Sequence, residues 1–126
     1  MSQKHLIYAK AGCPFTFRFM LFLNDVDNLS DYDILVVRDG EASHADACKT
    51  LEAATGEKAS FPSMKLVNGD VLVGSTLLME WVAEKNGVPA TPGPIIDYFN
   101  QHMAPVSRQL LQRLRSATQK LAALES

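Results

Sequence analysis

The chain has 126 residues, 47% of them apolar and 21% charged, with a net charge of −2. That composition fits one globular domain around a single hydrophobic core and excludes disordered and collagen-like classes. The charge is uneven, because residues 1–103 carry eight Lys/Arg against thirteen Asp/Glu whereas 104–126 carry Arg108, Arg113, Arg115 and Lys120 against Glu125; no nucleic-acid partner is expected of such an acidic body.

His5 to Ala9 reads as a short buried strand that Gly12-Cys13-Pro14 breaks. Proline suits a first helical turn, where its missing N–H costs nothing, so a helix is expected from Pro14 to Asn24. Its content of Phe15, Phe17, Phe19, Met20, Leu21, Phe22 and Leu23 implies burial on most sides. Asp25 to Asp31 is a solvated turn, since the alternating ligands, central Gly and closing Glu of a calcium loop are missing. Tyr32 to Val37 has the length and β-branched content of a central strand.

Ser43 to Thr55 follows as a helix that Gly56 ends, with Cys48 on its apolar face as a structural residue. Pro62 to Val67 and Val71 to Val73 form an antiparallel pair across Asn68-Gly69-Asp70, a strong hairpin signal. Ser75 to Asn86 is a third helix, stopped by Gly87. The order is βαβ followed by ββα, an α/β class with a mixed sheet. Three prolines within Val88 to Pro94 mark a stiff boundary, giving domains at 1–88 and 95–126 with a linker at 89–94.

Helical pattern resumes near Ile95, is interrupted near Pro105 and continues to Leu124. Met103, Val106, Leu110, Leu114, Ala117, Leu121 and Leu124 form one stripe of nearly heptad period, which predicts either docking on the domain or a homodimer through this helix. No apolar run approaches the ~20 residues that span a bilayer, and no signal-peptide pattern opens the chain, so no membrane partner and a cytoplasmic location are expected. Cys13 and Cys48 match neither a disulfide scaffold nor a zinc set, and no metal is expected. His5, His44 and His102 show no ligand spacing and read as structural or surface residues.

Cys13 lies between a strand and a helix, where unpaired backbone N–H groups and the helix dipole favour a thiolate. Lys10, three residues upstream, adds positive charge. That combination makes Cys13 a candidate nucleophile.

With Lys10-Ala11-Gly12-Cys13-Pro14-Phe15-Thr16, Ser60-Phe61-Pro62, and Asn68-Gly69-Asp70 through Gly74-Ser75-Thr76 in this order, residues 4–87 resemble the glutaredoxins and, slightly less closely, the N-terminal domains of glutathione transferases. The resemblance implies a thioredoxin fold with a four-stranded mixed sheet, followed here by a C-terminal helical extension. It also implies glutathione as the bound small molecule. In that family the first motif carries a second cysteine where this chain has Thr16, so this is a single-cysteine variant. It departs from the Cys-Gly-Phe-Ser motif of cluster-binding monothiol glutaredoxins, which disfavours an iron–sulfur cluster.

By the same resemblance Pro62 is a cis-proline, and the backbone of Phe61 pairs with the cysteinyl part of glutathione. Ser75 and Thr76 bind its γ-glutamyl carboxylate, Lys10 and Arg18 are candidates for its glycine carboxylate, and Phe15 and Pro62 are counted with Phe61 among the residues that contact glutathione. Thr76 and Gly74 stand where relatives carry an acidic residue for the glutathione α-amino group. The expected catalytic residues are Cys13, Thr16 and Lys10, acting in a monothiol glutathione-dependent thiol-disulfide oxidoreductase on glutathionylated thiols. A transferase-like activity and a non-enzymatic binding module are the alternatives.

Overall fold

A computed structural model describes residues 4–90 and 93–125. Strand β1 (His5–Lys10) buries Ile7, Tyr8 and Ala9, so both faces of this strand are covered. It pairs in parallel with β2 (Tyr32–Val37), Ile7 opposite Ile34 and Tyr8 opposite Leu35. On its other side it pairs antiparallel with β3 (Ser63–Lys65), Ile7 opposite Met64, and β3 pairs with β4 (Val71–Val73). The sheet order is β2-β1-β3-β4.

The interior position expected of Tyr32 to Val37 is therefore corrected: β1 and β3 are internal and β2 is an edge strand. Only Tyr32 and Val37 of β2 are buried, while Ile34, Leu35 and Val36 are exposed. β-Branched composition reports fitness for an extended backbone, and an edge strand satisfies it as well as a central one.

Helix α1 (Pro14–Val26) begins at its proline and runs two residues past the expected Asn24. Its burial is one-sided, with Phe19, Phe22 and Leu23 buried but Phe15 and Phe17 exposed, which corrects the expectation of burial on most sides. Helix α2 (Ala42–Thr55) buries Ala47 and Leu51 against Tyr8 and Val37, and ends at Gly56 in the left-handed region. Helix α3 (Ser75–Asn86) packs on α1 through a face that buries Leu78, Met79, Val82 and Ala83. Alternation along β1 turns Ile7 and Ala9 to the face opposite Tyr8, so α2 covers one side of the sheet and α1 with α3 the other.

The hairpin closes as its sequence predicts, with Leu66 N–H donating to Asp70 O at 2.8 Å and Asn68 Oδ1 accepting from Asp70 N–H at 2.9 Å. Its first strand is shorter than expected, because Pro62 has no N–H to donate and Leu66 already belongs to the turn.

The Asp25–Asp31 segment is more than a solvated turn. The Asp27 side chain is only 8% exposed, and its carboxylate accepts from Tyr32 Oη at 2.7 Å, Lys85 Nζ at 2.9 Å, Asn86 Nδ2 at 3.0 Å and Asn28 N–H at 2.8 Å. The end of α1, the start of β2 and the end of α3 thus share one anionic centre. Burial alone would raise this carboxyl, but the hydrogen bonds from Asn86, Lys85, Tyr32 and Asn28 outweigh it and hold Asp27 well below the usual carboxylate range.

The chain divides into two compact units, Met1–Thr91 and Pro92–Ser126. Thr91 and Pro92 of the expected linker lie outside the described residues. In the second unit, α4 (Pro94–Tyr98) passes through a π-helical turn (Phe99–Met103) into α5 (Ala104–Glu125). The interruption expected near Pro105 is thus a change of helix type rather than a break. Ala104 N–H reaches back to Phe99 O, and the wider turn accommodates a proline that cannot bond its own preceding turn. Along α5, Val106, Leu110, Leu114, Leu121 and Leu124 are exposed. Among the described residues no helix is long and apolar enough to cross a membrane.

Candidate functional site

The site grows from the two ends where β1 and β4 hand the chain to helices. After β1, Gly12 adopts φ +77, a left-handed conformation that glycine alone takes without strain, and turns the chain into α1. Cys13 then occupies the N-cap position with extended backbone, and Pro14 follows in the first turn. Cys13 N–H donates to Lys10 O at 3.1 Å, so the loop is closed on itself and the half-buried thiol is held at the helix start. Its Sγ lies 3.8 Å from Phe61 O.

That carbonyl belongs to the segment before β3, where the Phe61–Pro62 peptide is cis. Pro62 is buried, and its carbonyl accepts from Gly74 N–H at 2.9 Å, which ties the proline to the start of α3. Gly74, with φ +96, is the cap of α3, and Ser75 and Thr76 form the helix's first turn. The start of α3 is thus joined through Pro62 to the segment whose Phe61 carbonyl the Cys13 thiol approaches.

Beside this segment lies a cavity of about 460 Å³, walled by Phe15 and Arg18 of α1, by Phe61, and by Ser75, Thr76 and Glu80 of α3, with Cys13 outside its lining. Of the residues singled out in the sequence, Phe15, Arg18, Phe61, Ser75 and Thr76 line this cavity, while Lys10, Cys13, Thr16 and Pro62 do not. Thr16 is buried beneath the thiol loop and its Oγ1 accepts from Lys10 N–H at 3.4 Å; no hydrogen bond to Cys13 is formed among the described residues. Lys10 directs its ammonium to Asp39 Oδ1 at 3.1 Å, an ion pair whose carboxylate is three-quarters exposed and which water screens. Arg18, considered from sequence for a glycine carboxylate, instead donates through Nη2 to Ser75 Oγ and, at 3.4 Å, to Thr76 Oγ1. Its guanidinium also sits 5.6 Å from the centre of the Phe15 ring.

Two neighbours were not visible as site residues in the sequence. His44 lies with its ring 5.7 Å from that of Phe61, and its Nε2 is 3.7 Å from Cys48 Sγ and 3.6 Å from Asp39 Oδ1. Glu80 lines the cavity one helical turn after Thr76; the spacing of four residues on a helix is the only local signal that could have pointed to it. Among the described residues no cluster of His, Cys, Asp and Glu could hold a metal ion.

A four-stranded mixed sheet in the order β2-β1-β3-β4, helices on both faces, and a cis-proline facing a cysteine at a helix start define an α/β protein of thioredoxin fold. Solved structures bear this out. The chain is similar to glutathione transferase Omega 3C from Trametes versicolor at 16% identity and a TM-score of 0.54, covering 89% of this chain and 43% of that one. It is similar to glutaredoxin 2 from Salmonella typhimurium, solved in complex with glutathione, at 20% identity and a TM-score of 0.51, covering 92% and 60%. A glutathione S-transferase from the Antarctic clam Laternula elliptica matches at 18% identity and a TM-score of 0.52, covering 93% and 47%. The chain therefore spans less than two thirds of each of these structures. No family model and no curated protein sequence matches it.

Proposed function

We propose that this protein is a glutathione-dependent thiol-disulfide oxidoreductase that reduces glutathione mixed disulfides with one cysteine. The observation that carries the reading is the approach of Cys13 Sγ to Phe61 O beside a cis-proline, at the edge of a cavity that ends on the first turn of α3. Peptide-like backbone edges at Phe61 suit the cysteinyl part of glutathione. The amides at the start of α3, with Arg18 beside them, suit its γ-glutamyl carboxylate. Of the structures that share the fold, one is a glutaredoxin solved with glutathione, which favours this ligand.

In the first step the Cys13 thiolate attacks the glutathionyl sulfur of a mixed disulfide. The S–S bond breaks, the reduced partner leaves as a thiolate that takes a proton from water, and Cys13 is left joined to glutathione. The thiolate of a second glutathione then attacks that disulfide, releasing oxidised glutathione and restoring Cys13. Thr16 lies one turn after Cys13, where a resolving thiol would otherwise stand, and a hydroxyl forms no disulfide. A reducing cytoplasm supplies the second glutathione.

Turnover of a glutathionylated peptide, followed with excess glutathione and glutathione reductase, tests the reading. It predicts steady NADPH consumption that Cys13→Ser abolishes. A wild-type rate equal to the uncatalysed one would refute the enzymatic reading and leave a binding module.

A further inference from the structure

With 22 residues, α5 is about 33 Å long, and its apolar side chains are bare. Leu110, Leu114, Leu121 and Leu124 are 58%, 63%, 61% and 83% exposed, and among the described residues of the unit Pro92–Ser126 nothing covers them. From Leu110 onward the row runs Leu114, Ala117, Leu121, Leu124 at spacings of four, three, four and three. Those are the d and a positions of a heptad, with Leu114 and Leu121 at a and Leu110, Ala117 and Leu124 at d; the first a position is Ser107. A row limited to a and d is the narrow seam that one other helix fills.

The residues flanking the seam say which helix that is. In this frame Val106, Arg113 and Lys120 stand at g, and Leu111, Thr118 and Glu125 at e. When two copies of such a helix lie parallel, each g residue meets the e residue five positions later on the other copy. Val106 then meets Leu111, which removes two further exposed apolar side chains from water, Arg113 meets Thr118, and Lys120 meets Glu125. Two-fold symmetry makes every one of these contacts twice, and none sets like charges together. An antiparallel pair in full overlap brings g against g, so that Arg113 opposes Lys120 of the second copy twice over. A lipid surface is a poorer match, because helices that insert there carry Trp or Phe on a wide apolar face and α5 contains no aromatic residue. We propose that α5 joins two copies of this chain as a parallel two-stranded coiled coil, with Leu110, Leu114, Leu121 and Leu124 in its seam and the Lys120–Glu125 pairs setting its direction. The exposed ion pairs select the orientation, and the leucines supply the stability.

Analytical ultracentrifugation of the full chain over a range of concentrations tests this. The wild-type protein should sediment at twice the 13.8 kDa chain mass when concentrated and approach the single mass on dilution. Leu114→Glu, at an exposed position in the middle of the seam, should sediment as a monomer throughout while its thermal melt at high dilution matches the wild type. Lys120→Glu turns two attractions into two repulsions and should weaken the dimer about tenfold, less so in high salt. Glu125→Lys should do the same, and the two changes together should restore the wild-type affinity. A dimer that Lys120→Glu tightens has its helices antiparallel, with residue 120 opposite Arg113, and overturns the proposal; so does a dimer that survives Leu114→Glu. A wild-type chain that stays monomeric at every concentration also overturns it. In that event, co-sedimentation with phosphatidylserine vesicles would identify a lipid surface as the occupant of the seam, and its absence would leave the seam to the chain's own first unit.

Discussion

Replacing Asp27 by Asn tests the polar centre that joins α1, β2 and α3. Asparagine keeps the shape and one acceptor but removes the charge and turns an amide toward Lys85 Nζ, which sits 2.9 Å from the carboxylate in the native chain. Hydrogen bonds to a charged acceptor are worth ~1.5–3 kcal/mol each when lost from a buried site. The Lys85 side chain is 38% exposed and regains water, so the sum is far from additive and the net loss is about 2 kcal/mol. For a domain of this size that corresponds to a fall of about 10 °C in melting temperature. The pH dependence follows from the direction of the shift. Asp27 is held below its ordinary range when folded, so its contribution is complete above about pH 5, begins to decline as the unfolded chain takes up a proton near pH 4, and disappears as the pH falls through the folded value. Thermal unfolding of both proteins between pH 7 and pH 3, followed by circular dichroism, should show the gap narrowing with acid. Equal melting at pH 7, or a gap that stays constant down to pH 3, would refute the reasoning.

Tyr32, whose phenol is pushed up by burial and then by Asp27, should add a second limb: its contribution persists at neutral pH and fades only above about pH 10, read as a loss of stability in alkaline melts. Leu51→Ala removes a fully buried side chain from the layer between α2 and the sheet and should cost about 2–5 kcal/mol in urea unfolding; a cost below 1 kcal/mol would contradict its place in the core. Gly12→Ala forces a side chain into φ +77 and should cost about 1 kcal/mol, with slower alkylation of Cys13 as the thiol loop shifts; an unchanged melt would mean the turn relaxes freely. Iodoacetamide at neutral pH should modify Cys13 before Cys48, by peptide mass mapping, and equal rates would remove the distinction between a helix-start thiol and one on the face of α2.

Local chemistry made much of the fold legible. The chain-breaking Gly12-Cys13-Pro14, the Asn68-Gly69-Asp70 turn and the helix stops at Gly56 and Gly87 each act within a few residues, and each is found at its expected place. What escaped depends on contacts between distant segments. The apolar run of β2 does not disclose that its second neighbour is missing. Arg18 meets Ser75 across 57 positions, and Asp27 meets Lys85 and Asn86 across 58 and 59. No spacing rule spans such distances. Glu80 was hidden for a related reason, since a lone acid on a helix reads as surface until the opposing wall with Arg18 is in view.

The most direct test of the one-cysteine chemistry is the mass of the protein after incubation with oxidised glutathione. Cys13 should gain a single glutathione, Cys48 should gain none, and Cys13→Ser should gain none at either position. A wild-type chain that instead loses two hydrogens and gains no glutathione would have joined Cys13 to Cys48, and the monothiol mechanism would be wrong.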